Sequence, residues 1–214
     1  MAAVRHRRQP NLHLPLPETP SPVSPLPPST AACSAADFEK LQVLGHGNGG
    51  IVYKVRHKRT GAIYALKVVR GDADPLLRRQ TFREAEILRR TDSPFVVRWH
   101  GVVECPTGSG GAAILMEFMD GGTLGLAGRL SEQSLRQVAR QVLNGLCYLH
   151  AHGIIHRDLK PSNLLVNRRM EVKISDFGAS KLMRRSLEAC NSYVGTCAYM
   201  SPERFDPETY GVEY

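Results

Sequence analysis

His156-Arg157-Asp158-Leu159-Lys160-Pro161-Ser162-Asn163 sets an acid, a lysine and an amide within one short loop, directly after a long amphipathic stretch. Such a loop offers a carboxylate to orient a hydroxyl, an ammonium to neutralise phosphate and an amide oxygen to hold a metal ion. It could equally be a polar surface turn, so its meaning depends on what the remaining chain sets beside it. Upstream, Ser131 can cap a helix running to about His150. Leu135, Val138, Ala139, Val142, Leu143 and Leu146 follow the i, i+3, i+4, i+7 spacing of a core-facing helix. Downstream, Leu164-Leu165-Val166 and Val172-Lys173-Ile174 read as short strands, the second leading into Asp176-Phe177-Gly178.

The first half of the chain has a different texture. Leu41-Gln42-Val43-Leu44 reads as a strand entering Gly45-His46-Gly47-Asn48-Gly49-Gly50, and Ile51-Val52-Tyr53-Lys54-Val55 alternates as a second strand. A dinucleotide turn would open a helix, with an acid about twenty residues on. Here a β-branched strand follows, so the glycines join two antiparallel strands and let backbone N–H groups approach phosphate oxygens. Ile63-Tyr64-Ala65-Leu66-Lys67-Val68-Val69 is a third strand, with Lys67 inside an apolar run where an unpaired ammonium is costly. Asp74-Pro75 opens a helix through Arg90. On it Leu76, Leu77, Gln80, Glu84, Ile87 and Leu88 share one face, making Glu84 the natural partner of Lys67, while Glu86 points to solvent. Phe95–Trp99 and Ala112–Glu117 read as two more strands joined through Gly108–Gly111, and Met119-Asp120-Gly121-Gly122 as a loop between two lobes.

At 214 residues, 42% hydrophobic and 22% charged, the chain can build a core of its own. A net charge of +8 suits acidic proteins or phosphates. No basic stripe with interleaved aromatics points to nucleic acid. Cys33, Cys105, Cys147, Cys190 and Cys197 are odd in number and lack CxxC spacing, which favours free thiols in a reducing compartment. No apolar run approaches the roughly 18–20 residues that span a membrane. The Arg-rich start is studded with prolines that prevent the amphipathic helix of a transit peptide. A cytoplasmic protein is expected, with nuclear access open. Residues 1–36 form a Pro/Ser-rich tail too poor in apolar surface to order itself. In it Arg5, Arg7 and Arg8 precede Leu12-x-Leu14-x-Leu16, a pattern able to lie extended with arginines over an acidic patch and leucines in a groove.

Taken together the motifs resemble the protein kinases. GxGxxGxV at Gly45–Val52, AxK at Ala65–Lys67, a helical Glu84, HRDLKxxN at His156–Asn163, DFG at Asp176–Gly178 and Ser201-Pro202-Glu203 occur in that family's order. The resemblance implies an α+β, bilobal protein-kinase fold. Its first lobe (37–119) would carry a five-stranded antiparallel sheet, and its second (120–214) would be an incomplete, mainly helical lobe. ATP would lie between them, covered by Leu44, Gly45, His46, Gly47, Asn48, Gly49, Gly50, Ile51 and Val52. Ala65 and Lys67 would lie beneath it, with Met116 as gatekeeper and Glu117 and Met119 in the hinge. Lys67, paired by Glu84, would hold the phosphates. Asp158 would take the acceptor's proton, Lys160 would neutralise the phosphoryl group, and Asn163 and Asp176 would bind Mg2+.

GxGNGGIVYK, MDGGTL and SYVGTCAYMSPERF are more narrowly similar to the mitogen-activated protein kinase kinases, which phosphorylate Thr and Tyr of a target kinase. Ser186 and Ser192, with five residues between them, resemble the plant form of their activation site. The Arg-rich start with LHLPLP resembles the plant MAP kinase kinase 9 group. The tail residues Arg5, Arg7, Arg8, Leu12 and Leu14 would then dock a downstream MAP kinase, and an upstream MAP kinase kinase kinase would phosphorylate Ser186 and Ser192. Those phosphates could pair with Arg157, or with Arg184 and Arg185. The resemblance runs from 37 to about 206, so a C-terminally truncated second lobe is expected. Glu203 would lack its late-helix Arg partner, the loop would lack the helix that braces it, and apolar surface on the Ser131 helix would lie open. Two functions remain in play: an active dual-specificity kinase, or a catalytically weak docking and decoy module.

Overall fold

The computed structural model describes residues 34–47, 50–69, 75–104, 112–183 and 195–205. The docking segment (Arg5, Arg7, Arg8, Leu12, Leu14), Asn48, Gly49, Ser186 and Ser192 lie outside them. The described chain begins with Ser34, whose hydroxyl caps a short turn at Ala35–Asp37. It then runs through β1 (Phe38–Gly47), β2 (Gly50–His57), β3 (Ile63–Val69), α1 (Pro75–Arg90), β4 (Trp99–Glu104) and β5 (Ala112–Glu117). The strands form one antiparallel sheet in the order β1-β2-β3-β5-β4. The second lobe follows with α2 (Glu132–Ala151), β6 (Ile154–Ile155), β7 (Leu164–Val166), β8 (Val172–Ile174) and β9 (Lys181–Leu182). This is the bilobal kinase fold, its second lobe dominated among the described residues by the 20-residue α2.

Strand alternation explains how the first lobe buries both faces of its sheet. Leu66 joins Phe38, Val55, Val103, Ala113 and Leu115 in a cluster on one side. Ala65 and Lys67, one residue away on either side, point to the other face. There Ile87 and Leu88 of α1 continue the core through Ile114 and Met116 into Val138, Leu149, Val172, Ile174 and Phe177. The main core therefore runs from one lobe into the other beneath the site.

Two expectations are corrected. Phe95–Arg98 is not strand: the fourth strand begins at Trp99. Val96 bridges Ile174, Val97 N–H donates to the Ile174 carbonyl at 3.0 Å, and Ile174 N–H donates to Phe95 O at 2.8 Å. The apolar run is spent on a seam between the lobes, where the backbone of Phe95 and Val97 pairs with β8, and β5 is met at the Arg98 carbonyl. The second correction concerns α2, which Ser131 does cap by accepting from Ser134 N–H at 3.1 Å. Only Val138, Gly145 and Leu149 are fully buried on it, while Leu135 and Leu143 are 55% and 61% exposed and Ala139 is exposed. Apolar spacing marks a stripe but not its width, and here the stripe is wider than the surface it packs on. Open apolar surface on this helix is therefore observed. None of the described helices is long and apolar enough to cross a membrane.

Candidate active site

Lys67 sits on β3 opposite Val52 of β2 and Ile114 of β5, which fixes the direction of its side chain. Its Nζ lies 2.6 Å from Glu84 Oε2 and 3.3 Å from Asp176 Oδ1. Glu84, on the inner face of α1, is 2% exposed and Lys67 8%. Burial alone would lower the Lys67 pKa, but the Glu84 and Asp176 carboxylates outweigh it and hold it above the ordinary value. Burial pushes Glu84 up against the pull of Lys67, so acid neutralises this member of the pair first. Glu86 is an exposed partner of Arg90, as its place on the helix implied.

The catalytic-loop residues converge. Asp158 Oδ2 accepts from Lys160 Nζ at 2.9 Å and from Asn163 Nδ2 at 3.1 Å. Asn163 Nδ2 also donates to the Asp158 carbonyl at 2.8 Å, locking the short turn Pro161–Asn163 under the carboxylate. Thr196 completes the group: its hydroxyl donates to Asp158 Oδ1 at 2.7 Å and accepts from Lys160 at 2.7 Å. Sequence reasoning missed Thr196. It is 38 residues from Asp158, and its one signal is the Gly-Thr placed shortly before Ser201-Pro202-Glu203. Partial burial would raise the Asp158 pKa, but the bonds from Lys160 and Thr196, the Lys160 charge and Asn163 hold it below the ordinary value. Asp158 is thus kept as a carboxylate.

Backbone strain is concentrated here. Arg157 and Asp176 have φ of 66° and 63°, a region non-glycine residues rarely occupy. Each is held by neighbours. Arg157 Nε donates to the Ala179 carbonyl at 2.6 Å, and Arg204 donates to the Arg157 carbonyl at 2.8 Å. His156 is 2% exposed, stacks edge-on against the fully buried Phe177 and pairs through Nε2 with the Ser175 carbonyl at 2.9 Å. Asp158 N–H points at His156 Nδ1, so the ring is neutral with its proton on Nε2. Burial lowers its pKa accordingly.

The remaining expected residues lie on the β1–β2 hairpin, in β3 and at the end of β5. Gly45, Gly50, Ile51 and Val52 lie on the β1–β2 hairpin with exposed Leu44 and His46, and Gly47 ends β1. Met116 is buried opposite Ala65, and Met119 is buried just beyond β5. The Glu117 carboxylate is taken up by Lys173 and the Arg98 backbone, so its side chain is committed to protein. For a hard cation, the set comprises the half-exposed Asp176 carboxylate and the Asn163 amide oxygen, which the two Nδ2 bonds turn away from Asp158. One carboxylate, one amide oxygen and nucleotide phosphates suit Mg2+, which is bound that way rather than in an all-protein cage.

Comparison with known proteins shows the family of the chain. The profile described as "Protein kinase domain" matches residues 38–214. Mitogen-activated protein kinase kinase 9 of Arabidopsis thaliana is 61% identical over 99% of this chain and 71% of its own length. The chain belongs to the plant mitogen-activated protein kinase kinases. Kinase kinases 7 and 8 of the same plant are 59% and 50% identical, over 96% and 84% of this chain and 69% and 56% of their own lengths. Membership in this kinase family supports ATP-dependent protein phosphorylation as the general class of activity. Within the kinase domain these residues form two groups, Lys67–Glu84–Asp176 and Asp158–Lys160–Asn163–Thr196, tied where Ser175, the neighbour of Asp176, donates to the Asn163 carbonyl.

Proposed function

We propose that this chain is a dual-specificity kinase of the MAP kinase kinase 9 group that transfers the γ-phosphate of ATP to Thr and Tyr hydroxyls on a MAP kinase's activation loop. One observation carries the reading. The Asp158–Lys160–Thr196–Asn163 group, which would take a proton, is tied to the Lys67–Glu84–Asp176 chain, which would bind phosphates, through the 2.9 Å bond from Ser175 N–H to the Asn163 carbonyl. The acceptor hydroxyl gives its proton to Asp158 as its oxygen bonds to the γ-phosphorus, and the bond to the bridging oxygen of ADP breaks. Lys160 offsets charge on the moving phosphoryl, and Lys67 orients the α- and β-phosphates. Mg2+, held by Asn163 and Asp176, supplies charge neutralisation at the phosphates when bound.

The regulatory parts of the proposal are an upstream MAP kinase kinase kinase acting on Ser186 and Ser192, and the tail around Arg5, Arg7, Arg8, Leu12 and Leu14 docking the MAP kinase. Cytoplasmic work with entry to the nucleus fits both partners. The name of the 61%-identical relative supports the group assignment. The test uses the full chain with Ser186 and Ser192 changed to acids, Mg2+-ATP and a plant MAP kinase. Phosphate incorporation lost in Asp158→Ala is expected. Binding through Leu12 and Leu14 without incorporation would instead make the chain a docking or decoy module.

A further inference from the structure

Arg204 returns to the catalytic loop, although the transfer chemistry does not call on it. Two short turns, Cys197–Tyr199 and Pro202–Phe205, bend the chain after Thr196 back on itself. Tyr199 N–H donates to the Thr196 carbonyl at 2.9 Å in the first, and Arg204 N–H to the Ser201 carbonyl at 3.0 Å in the second. The bend brings Arg204 Nη1 to 2.8 Å from the Arg157 carbonyl oxygen. That oxygen also abuts Gly195, whose φ is 126°: a Cβ there would lie 2.4 Å from it and 3.5 Å from Arg204 Nη1. Residues on both sides of Thr196 thus close on one carbonyl, and the residue that owns it has φ of 66°. A peptide unit is planar, so the Arg157 carbonyl and the Asp158 N–H turn together. Arg204 holds the first, and His156 Nδ1 faces the second at 3.3 Å. With both ends pinned, the unit is held against the flip that would relieve Arg157 and re-aim Asp158.

We infer that Arg204 is a positioning residue for phosphoryl transfer: through the Arg157 carbonyl it keeps the strained peptide, and with it the Asp158 carboxylate, aimed at the acceptor hydroxyl. The inference rests on the reading of Asp158 as proton acceptor given above and deepens it. Thr196 and Arg204 act on Asp158 from one segment, the first on its side chain and the second on its backbone. Backbone placement matters because an error of about 1 Å near reacting groups can cost on the order of a hundredfold in rate. The nucleotide would be held by Lys67 and the β1–β2 hairpin, so loss of Arg204 should be felt in turnover and not in ATP affinity.

The test uses the full chain with Ser186 and Ser192 changed to acids, Mg2+-ATP and a plant MAP kinase. Arg204→Leu, which removes the donor, should lower kcat about tenfold to a hundredfold at nearly unchanged KM for ATP and for the MAP kinase. Arg204→Lys, which keeps a charged donor, should turn over at least about threefold faster than Arg204→Leu. Hydrogen exchange without nucleotide should quicken at the amides of residues 158–163 in Arg204→Leu. An unchanged kcat in that variant would overturn the inference. So would a loss that appears as a higher KM for either substrate, or one that Arg204→Lys does not relieve, since either makes the contact merely structural. If Arg204→Leu does not fold, Arg204→Gln, polar but shorter, decides by the same split between kcat and KM. Should the chain without a change at Arg204 incorporate no phosphate, the proposed function falls, and the exchange of the loop amides alone decides whether Arg204 holds the loop.

Discussion

Asp158 is held by three donors, and the one contributed from furthest away in sequence is the hydroxyl of Thr196. Thr196→Val removes the bond to Oδ1 and strands one donor of Lys160. The turnover rate should fall about tenfold to a hundredfold at nearly unchanged KM for ATP, with recovery in Thr196→Ser. Steady-state kinetics of both variants checks this. Lys67 and Glu84 differ in what their loss does to folding. Lys67→Met leaves a carboxylate 2% exposed with its ammonium gone, a change that costs about 3–5 kcal/mol near neutral pH. Because burial raises the folded pKa of Glu84 above its unfolded value, the penalty is present above the folded pKa and fades as acid protonates the group. Denaturant midpoints of Lys67→Met should therefore approach those of wild type as pH falls from 8 to 5. A constant gap would mean that Glu84 stays ionised throughout.

The β1–β2 hairpin and α2 show what an element asks of single positions. Gly50 has φ of 120°, and a Cβ there would sit 2.1 Å from the Val68 carbonyl oxygen of β3. Neither the backbone nor the sheet can yield cheaply, so Gly50→Ala should displace the hairpin and weaken nucleotide binding. A fluorescent ATP analogue reads this; full affinity would contradict it. On α2, Gly145 is the close-approach point: a Cβ would lie 2.8 Å from Ile174 Cδ1 and 3.1 Å from Phe95 Cβ. The helix forgoes alanine's propensity advantage of about 1 kcal/mol at Gly145 to let the lobe seam lie against it. Two positions before that glycine, Leu143 is 61% exposed, so Leu143→Lys should change the chain's thermal midpoint little and raise its solubility. A large loss of stability would show that this stripe is covered.

Across the whole molecule, His156 links the second-lobe core to the loop and makes stability depend on pH. Its ring is buried and neutral, with its pKa lowered by burial, so the unfolded chain takes up the proton first. The stabilisation is complete above the unfolded imidazole value of about 6.5 and is lost as pH falls through the lower folded value. Thermal midpoints should drop between pH 7 and 5, and His156→Gln should flatten that part of the profile. The main core crosses from one lobe to the other through Ile114, Val96, Ile174 and Phe177. Loosening near the loop should therefore be felt by α1 and its Glu84.

Much of this was legible in one dimension. Lys67 in an apolar run demanded an anion, Glu84 shared the inner face of its helix, and the DFG and HRDLKxxN stretches carried their chemistry in local spacing. Those signals are short-range: a turn, a cap or a strand alternation is set by neighbours in the chain, and residue type restricts what each can do. Tertiary structure decided the rest. Phe95–Arg98 had the composition of a strand, yet which backbone it would bond depended on Ile174 of β8, 77 residues after Val97 (174 − 97). Leu135 and Leu143 had core spacing, yet how much of their stripe is covered depended on what packs beside it. Thr196 and the Glu117–Lys173 pair carry no local pattern at all, because a hydroxyl or charge gains its meaning from partners that only folding brings within about 3 Å. The amino-acid sequence determined the chemistry available to this kinase; long-range packing determined which groups hold it in place.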